Sequence, residues 1–246
     1  MTVPTISLQL YTLRDAVAVD LQNTLQRVAD LGFQSVEPYG FGDRIDDFAR
    51  AFAATGLDAP SGHAPLLALD DPRSVFEGAR HLGMTMVIDP YTSPERWASR
   101  DEVLEIADGL NRLADLAAEV GVEVGYHNHF WEFESEIDGE SAFDVLLGAL
   151  DPRVFLEIDT YWAAVGGQSP VELLSRLGDR VRLIHVKDGP ITLDTEMQVA
   201  AGEGAMDIPA VLAAAPNAIR VVELDAYAGD VFDAVERSLR YLEARA

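Results

Sequence analysis

Residues 181–188 read VRLIHVKD, an apolar stretch that carries a histidine and a lysine near its end. If this stretch is a β-strand, its side chains alternate between two faces, so His185 and Lys187 share a face with Leu183. Lys187 is the single lysine of the chain, whose other strongly basic side chains are all arginine. The stretch therefore predicts a strand with functional polar groups at its exit, and the alternative for Lys187 is a solvated loop position.

Several other apolar stretches follow a helical stretch and a glycine. Glycine suits the left-handed position that closes a helix before the chain turns, and it occurs there five times, at Gly32, Gly56, Gly83, Gly121 and Gly178. We expect strands over residues 5–10, 34–38, 57–63, 84–89, 122–128, 154–159, 181–187 and 218–224. We expect helices over residues 20–31, 44–55, 71–82, 101–120, 141–150, 170–177, 207–215 and 230–245.

The alternation of these elements decides the fold class. Eight strands and eight helices in strict order predict a single (β/α)8 TIM barrel domain over residues 1–246, since this fold usually takes about 250 residues. A doubly wound open sheet is the alternative. No GxGxxG follows the first strand, so the dinucleotide-binding form of that alternative is disfavoured.

Composition excludes several classes of function. A formal net charge of −24 opposes binding to nucleic acids or anionic membranes. The absence of cysteine excludes disulfides, a thiolate nucleophile and cysteine-ligated metal. No stretch approaches the roughly 20 apolar residues that span a bilayer, and no basic segment precedes an apolar run at the N-terminus. We expect a cytoplasmic protein that acts on a small molecule and that can form a homo-oligomer.

The predicted strands end in polar residues, and a TIM barrel builds its active site at these ends. The polar strand ends are Glu37, His63, residues 126–129 (YHNH), Glu157 with Asp159, residues 185–188 (HVKD), and Glu223 with Asp225. Asp225 begins a loop, where an aspartate is more often a turn residue than a ligand. The remaining acidic and imidazole groups are candidates for an active site.

The predicted site holds more acids than a buried cluster tolerates without a cation. Glu157 and Asp159 share a strand face, and so do Glu223 and Asp225. Buried carboxylates that lack a partner repel each other and are driven to protonate. One divalent metal ion would resolve this conflict, and a mixed set of carboxylates and imidazoles suits Mn²⁺, Co²⁺, Zn²⁺ or Mg²⁺.

A set of short segments carries a resemblance over almost the whole chain. The segments are SLQLYTLR (7–14), GFQSVEPYG (32–40), SGHAP (61–65), GYHNHFWEF (125–133), LEIDTYW (156–162), LIHVKD (183–188), GEGAMDIPA (202–210) and VVELD (221–225). In their order and spacing they resemble the xylose isomerase-like TIM-barrel superfamily of sugar isomerases, epimerases and inosose-processing enzymes. The YHNH form is more similar to members that act on inososes or keto-sugars than to the ketohexose epimerases.

The resemblance implies one divalent metal ion held by a glutamate, an aspartate, a histidine and a second glutamate on successive strands. Asp159, His185 and Glu223 match the last three ligands. The first position, usually glutamate, is His127 in this chain. Either His127 replaces that ligand or Glu157 supplies the carboxylate, and we favour Glu157 because it preserves the ligand charge.

The resemblance also implies a metal-dependent isomerase or epimerase that acts on a sugar or keto-sugar through an enediolate. Glu157 or Glu223 would move the proton, and His127, His129 or Lys187 would donate to the migrating oxygen. The implied substrate-binding residues are Gln9, Glu37, His63, Tyr126, His129, Trp162, Lys187 and Glu203. Trp162 and Tyr126, together with Phe130, would form an apolar wall for the sugar face. The alternatives are a dehydratase or lyase of an inosose or 3-keto-glycoside, a non-catalytic sugar-binding or partner subunit, and an abasic-site endonuclease, which the net charge of −24 disfavours.

Overall fold

A computed structural model describes residues 4–245 and confirms the predicted barrel. Its main sheet has eight parallel strands in the order β2-β1-β10-β9-β8-β5-β4-β3. The strands are β1 (Ile6–Gln9), β2 (Ser35–Glu37), β3 (Ser61–His63), β4 (Met86–Asp89), β5 (Glu123–His127), β8 (Phe155–Asp159), β9 (Val181–Val186) and β10 (Ile219–Val222). Between β2 and β3 the ladder is reduced to isolated bridges, at Ser35 with Asp58 and at Tyr39 with His63, which close the barrel.

The eight predicted helices are present, most of them a few residues shorter than expected. They are α2 (Leu21–Leu31), α3 (Ile45–Thr55), α4 (Arg73–His81), α5 (Arg100–Ala118), α7 (Ala142–Ala149), α9 (Pro170–Leu177), α10 (Ile208–Ala214) and α11 (Val231–Glu243). No helix within residues 4–245 is both long and apolar enough to cross a membrane.

The structure adds three short α-helices and a two-stranded hairpin that the sequence pattern did not predict. They are the helices α1 (Arg14–Val19), α6 (Trp131–Glu134) and α8 (Thr160–Val165), and a hairpin of β6 (Glu136–Ile137) and β7 (Glu140–Ser141). All of them lie in the loops that follow β1, β5 and β8. These loops leave the C-terminal ends of the strands, so the added structure surrounds the mouth of the barrel.

Glycines close the helices in the manner that the sequence predicts. Gly32 after α2 has a φ of 109°, and Gly56 after α3 has a φ of 75°. The N–H of Gly56 donates to Phe52 O at 2.8 Å. An L side chain is strained in this left-handed conformation, and glycine adopts it without penalty.

The barrel interior has an apolar floor below its polar mouth. Met86, Ile88, Phe155, Leu183 and Val221 form a buried cluster that is separate from the main core between sheet and helices. Two positions after Phe155, Leu183 and Val221, the next residues on the same face are Glu157, His185 and Glu223. Strand alternation therefore places the polar groups in a layer above a packed hydrophobic base.

Phe155 fills this floor because its neighbour on β5 has no side chain. A Cβ atom at Gly125 would lie 2.3 Å from the ring of Phe155. Gly125 and Phe155 are also register partners in the β5–β8 ladder. The glycine thus allows one large ring to occupy the space of two smaller side chains.

Candidate active site

A cluster of titratable side chains lies inside the barrel at the C-terminal ends of the strands. The ladder register sets His127 opposite Glu157 and Asp159 opposite His185. The members of the cluster are all buried, with exposed fractions of 0–6%. They are Gln9, Glu37, His63, His127, Glu157, Asp159, His185, Lys187 and Glu223. These predicted site residues are brought together from seven different strands or strand ends.

Glu157 lies among three imidazoles. Its Oε2 atom is 2.6 Å from His63 Nε2, 3.1 Å from His127 Nδ1 and 3.2 Å from His185 Nε2. Burial alone would raise the pKa of Glu157, but the charges of His185 and His63 hold it well below its ordinary value. The other oxygen, Oε1, is buried and has no hydrogen-bond partner within residues 4–245.

Glu37 supports the cluster from the opposite side of the barrel. Its Oε1 atom accepts a hydrogen bond from Gln9 Nε2 at 2.9 Å, and its Oε2 atom accepts one from the Ser61 hydroxyl. Oε1 also lies 3.2 Å from Nε2 of both His63 and His185. Burial lowers the pKa of His63, but Glu157 and Glu37 outweigh burial and raise the pKa to about 10.

Lys187 is a buried ammonium held by three carboxylates. Its Nζ atom lies 2.8 Å from Asp159 Oδ2, from Glu223 Oε2 and from Asp225 Oδ2. Burial would lower the pKa of Lys187, but the carboxylates, with Asp159 foremost, raise it well above its ordinary value. Because Lys187 is only 2% exposed, the solvated-loop alternative is wrong.

His185 and Glu223 form a second close pair in the cluster. Glu223 Oε2 lies 2.6 Å from His185 Nδ1. Although burial opposes the shift, Glu157 and Glu223 raise the pKa of His185 well above its ordinary value. Against the opposing effect of burial, Lys187 and His185 lower the pKa of Glu223. For Asp159, burial dominates and raises the pKa in spite of Lys187.

Asp225 lies at a bend in the loop after the last strand, as expected, and its side chain also belongs to this network. Besides Lys187, its Oδ2 atom accepts from Gln198 Nε2 at 2.7 Å, and its N–H donates to Gln198 Oε1 at 2.7 Å. Gln198 is 1% exposed. Since Asp225 follows Glu223 at a two-residue spacing, the strand alternation signalled this position, whereas nothing in the sequence signalled Gln198.

Two overlapping sets of donor atoms could hold a metal ion. One contains His63, His127, Glu157 and His185; the other contains His127, Asp159, His185 and Glu223. In each set the donor atoms lie within 4.8 Å of one another. The unpartnered Oε1 of Glu157 shows spare donor capacity in the first of these sets, since buried carboxylate oxygens are normally hydrogen-bonded. Imidazole and carboxylate donors together suit Zn²⁺, Mn²⁺ or Co²⁺.

Of the ring-bearing residues predicted to contact the sugar, His129 lines the cavity, whereas Tyr126, Phe130 and Trp162 do not. His129 lines the cavity, and its ring stacks on Trp131 with centroids 4.3 Å apart. Tyr126 is fully buried, and its hydroxyl donates to Glu132 Oε1 at 2.7 Å. Trp162 lies under Lys187, 5.4 Å from Nζ to the ring centroid. Phe130 packs against Trp162, with ring centroids 5.6 Å apart.

A cavity of about 490 Å³ opens above the cluster. It is lined by Tyr11, Tyr39, Gly40, His63, Pro65, Pro90, Tyr91, His127, His129, Lys187, Glu223 and Asp225. Glu157 and Gln9 are fully buried beneath it. Glu203 does not line this cavity and forms an ion pair with Arg237 on the surface. The sequence pattern did not predict the three tyrosines of the lining, because they lie after the strands and show no periodic spacing.

A model of a known protein family matches most of this chain. The family model described as xylose isomerase-like TIM barrel matches residues 25–242. The chain belongs to the xylose isomerase-like TIM barrel family. The predicted resemblance is thereby confirmed.

Relatives within the xylose isomerase-like TIM barrel family are named as sugar-modifying enzymes. The chain is 35% identical over 112 residues to the inosose dehydratase of Geobacillus kaustophilus, a match that covers 44% of this chain and 35% of the relative. It therefore spans about a third of that protein. A sugar phosphate isomerase/epimerase from Parabacteroides distasonis has a TM-score of 0.85 at 25% identity, with 99% of this chain and 95% of that chain covered.

Another structure with the same fold contains a zinc atom. The structure described as the IOLI protein with a binding zinc atom has a TM-score of 0.72 at 17% identity, and the match covers 98% of each chain. At this identity the likeness concerns the fold.

Proposed function

We propose that this chain is a divalent-metal-dependent isomerase or epimerase of a sugar or keto-sugar, acting through an enediolate. The carrying observation is the buried set of His127, Asp159, His185 and Glu223, whose donor atoms lie within 4.8 Å of one another directly below a 490 Å³ cavity. Such a set stabilises charge on substrate oxygens only if a cation completes it. Family membership supports a sugar as substrate.

The four residues that would hold the cation include His127 as the first ligand. Glu157, which we favoured from sequence, has one oxygen shared among three imidazoles, whereas His127 belongs to the set that contains Asp159 and Glu223. This geometry supports His127 as ligand and Glu157 as the carboxylate that orients His63 and His127. Bound there, the cation would act as a Lewis acid on the substrate oxygens.

The chain's own groups would move the proton. Glu223 is the glutamate of the cluster that lines the cavity. Burial raises its pKa, but Lys187 and His185 outweigh burial and keep it ionised, so its position would let it accept a proton from the α-carbon. Lys187 also lines the cavity as a buried ammonium, and by exchanging one of its three carboxylate contacts it would donate to the substrate oxygen on which charge develops. His129 would bind a substrate hydroxyl.

A second candidate is a dehydratase that expels a β substituent from the same enediolate. The specific observation is the 35% identity to an inosose dehydratase over 112 residues. Both reactions begin with removal of the same α-hydrogen, so the residues assigned above serve either. Only the fate of the intermediate differs.

The test combines metal analysis with hydrogen exchange. Protein dialysed against Mn²⁺, Co²⁺, Zn²⁺ or Mg²⁺ is assayed for bound metal and incubated in D₂O with a panel of keto-sugars and inososes. We expect one metal ion per chain and exchange of the substrate α-hydrogen, which NMR detects. Product identification by NMR then separates an epimer from a dehydrated product.

Matched variants test which residues the metal binding and the hydrogen exchange require. Asp159→Asn and His185→Ala are expected to lose both the metal and the exchange. Glu123→Gln alters a glutamate at the other end of a barrel strand, in an exposed pair with Arg182, and is expected to retain both. Stoichiometric metal and full exchange in the Asp159→Asn protein would refute the proposal.

A further inference from the structure

Asp225 and Gln198 are polar residues of the site to which the proposed reaction gives no part. Asp225 lines the cavity, and Gln198, which is 1% exposed, contacts it. Asp225 Oδ2 accepts from Gln198 Nε2 at 2.7 Å and from Lys187 Nζ at 2.8 Å, and the N–H of Asp225 donates to Gln198 Oε1 at 2.7 Å. The amide of Gln198 therefore fixes both the backbone and the carboxylate of Asp225, and this carboxylate holds Lys187.

The loop that carries Gln198 is fastened at its base by the buried carboxylate of Asp188. Asp188 Oδ2 accepts from the N–H of Gly202 at 2.8 Å, and a Cβ atom at Gly204 would collide with Asp188 Oδ1. The N–H of Val199, which follows Gln198 in the chain, donates to Asp188 O at 3.0 Å. Because the loop is tied to the end of β9 on both sides of Gln198, the position of this amide is fixed relative to the barrel.

The carboxylates around Lys187 differ in the other contacts that they make. Asp159 Oδ2 lies 2.8 Å from Nζ without the angles of a hydrogen bond, and it has no hydrogen-bond partner among residues 4–245. The other oxygen of Asp159 is already used, since it accepts from Trp162 N at 2.9 Å. Asp159 Oδ2 is therefore the oxygen that this residue can offer to a cation. Asp225 Oδ2, by contrast, accepts a hydrogen bond from Nζ.

A bound cation would leave Asp225 as the counter-charge of Lys187. The ligand set of the proposed function includes Asp159 and Glu223, whose negative charges together balance a divalent cation. Lys187 is only 2% exposed, and a buried ammonium that loses its counter-charge is strongly destabilised. Asp225 belongs to neither of the two donor sets, so it can stay with the ammonium when the cation site is filled.

We propose that Gln198 and Asp225 are positioning residues, which keep the Lys187 ammonium at the cavity when the cation site is filled. Gln198 fixes the direction of the Asp225 carboxylate, and this carboxylate remains bound to Nζ. Lys187 can then exchange its contact with Asp159 or Glu223 for a substrate oxygen without leaving its place. The inference rests on the proposed function for the cation and for the reaction that Lys187 assists.

The single lysine of the chain allows Lys187 to be observed directly. Lysine labelled with ¹⁵N at Nζ gives one side-chain ammonium signal in NMR, which is followed without metal and with Zn²⁺, a diamagnetic ion. We expect the wild-type signal to persist when Zn²⁺ binds. In Gln198→Ala, hydrogen exchange of the ammonium with water should be faster without metal, and about 10- to 100-fold faster with Zn²⁺, the factor that one hydrogen bond to a charged group supplies.

Two further variants separate the donor of Gln198 from its bulk. Gln198→Glu keeps the size of the side chain but sets an acceptor where Nε2 now donates to Asp225, so it should behave like Gln198→Ala. Glu196→Gln changes an exposed side chain on the same loop and should behave like the wild type. Equal exchange of the ammonium in the wild type and both Gln198 variants, with and without Zn²⁺, would overturn the inference.

The kinetics of α-hydrogen exchange separate positioning from a structural role. Both Gln198 variants should lower kcat about 10- to 100-fold, while KM and the Zn²⁺ content change less than about twofold. A rise of KM alone, or a joint loss of metal and turnover, would also overturn the inference. A wild-type protein that binds no Zn²⁺ or exchanges no α-hydrogen would contradict the proposed function instead, and the ammonium signal of the metal-free variants would then decide the inference by itself.

Discussion

Glu132 is a buried acid whose own contribution to stability should fall as the pH rises. It accepts hydrogen bonds from the Tyr126 hydroxyl and from His129 N, yet burial dominates and raises its pKa from 4.5 to about 7. The folded chain therefore binds this proton more tightly than the unfolded chain does, so the contribution of Glu132 is fully present below pH 4.5 and is lost as the pH rises through 7. A pKa difference of this size corresponds to about 3 kcal/mol, of which about 2.5 kcal/mol is lost between pH 5 and 8.

Glu132→Gln removes the titration while keeping the shape of the side chain. We expect urea unfolding of the wild-type protein to lose about 2.5 kcal/mol relative to Glu132→Gln between pH 5 and 8. Titrations of the histidine cluster are common to both proteins and cancel in the difference. Glu134→Gln, an exposed glutamate on the same short helix, is the control and should follow the wild type. An unchanged difference across this pH range would refute the burial argument for Glu132.

Three further perturbations follow from the contacts of the site and its floor. Lys187→Met leaves three carboxylates without their cation and should lower the unfolding free energy by about 3–5 kcal/mol in metal-free urea titrations; an unchanged midpoint would contradict its role. Asp159→Asn should lower the metal content after dialysis to background, as metal analysis of the dialysed protein will show. Gly125→Ala sets a methyl group 2.3 Å from the Phe155 ring and should cost about 1–3 kcal/mol, part of which Phe155→Leu recovers in the double variant if the clash is the cause.

The fold could be predicted because its signals are local. Gly32 and Gly56 end helices in a conformation that only glycine adopts freely, and each is followed by a strand of the barrel. The polar strand ends could be predicted for the same reason, since alternation fixes which face His185 and Lys187 share. Once the strands are parallel and adjacent, the register brings such residues together.

The residues that were not predicted act through the loops. Gln198 lies in the segment after β9 and reaches Asp225 across 27 positions of the chain at 2.7 Å. The tyrosines that line the cavity, Tyr11, Tyr39 and Tyr91, follow strand ends without any spacing that marks them as a group. Loop geometry depends on tertiary packing, and no periodicity in the sequence encodes it.

The choice of histidine at position 127 follows from the charge that surrounds it. Glu157, Asp159 and Glu223 are all buried here, and Lys187 offsets only part of their charge. A further glutamate at 127 would add another buried anion 3–4 Å from Glu157 and Asp159, where His127 now lies. Burial and the charge of His185 lower the pKa of His127, so its imidazole is neutral and available as a donor. Under the proposed function, the site would therefore keep four donors for a divalent cation while carrying one negative charge fewer, and Glu157 would not have to be among them.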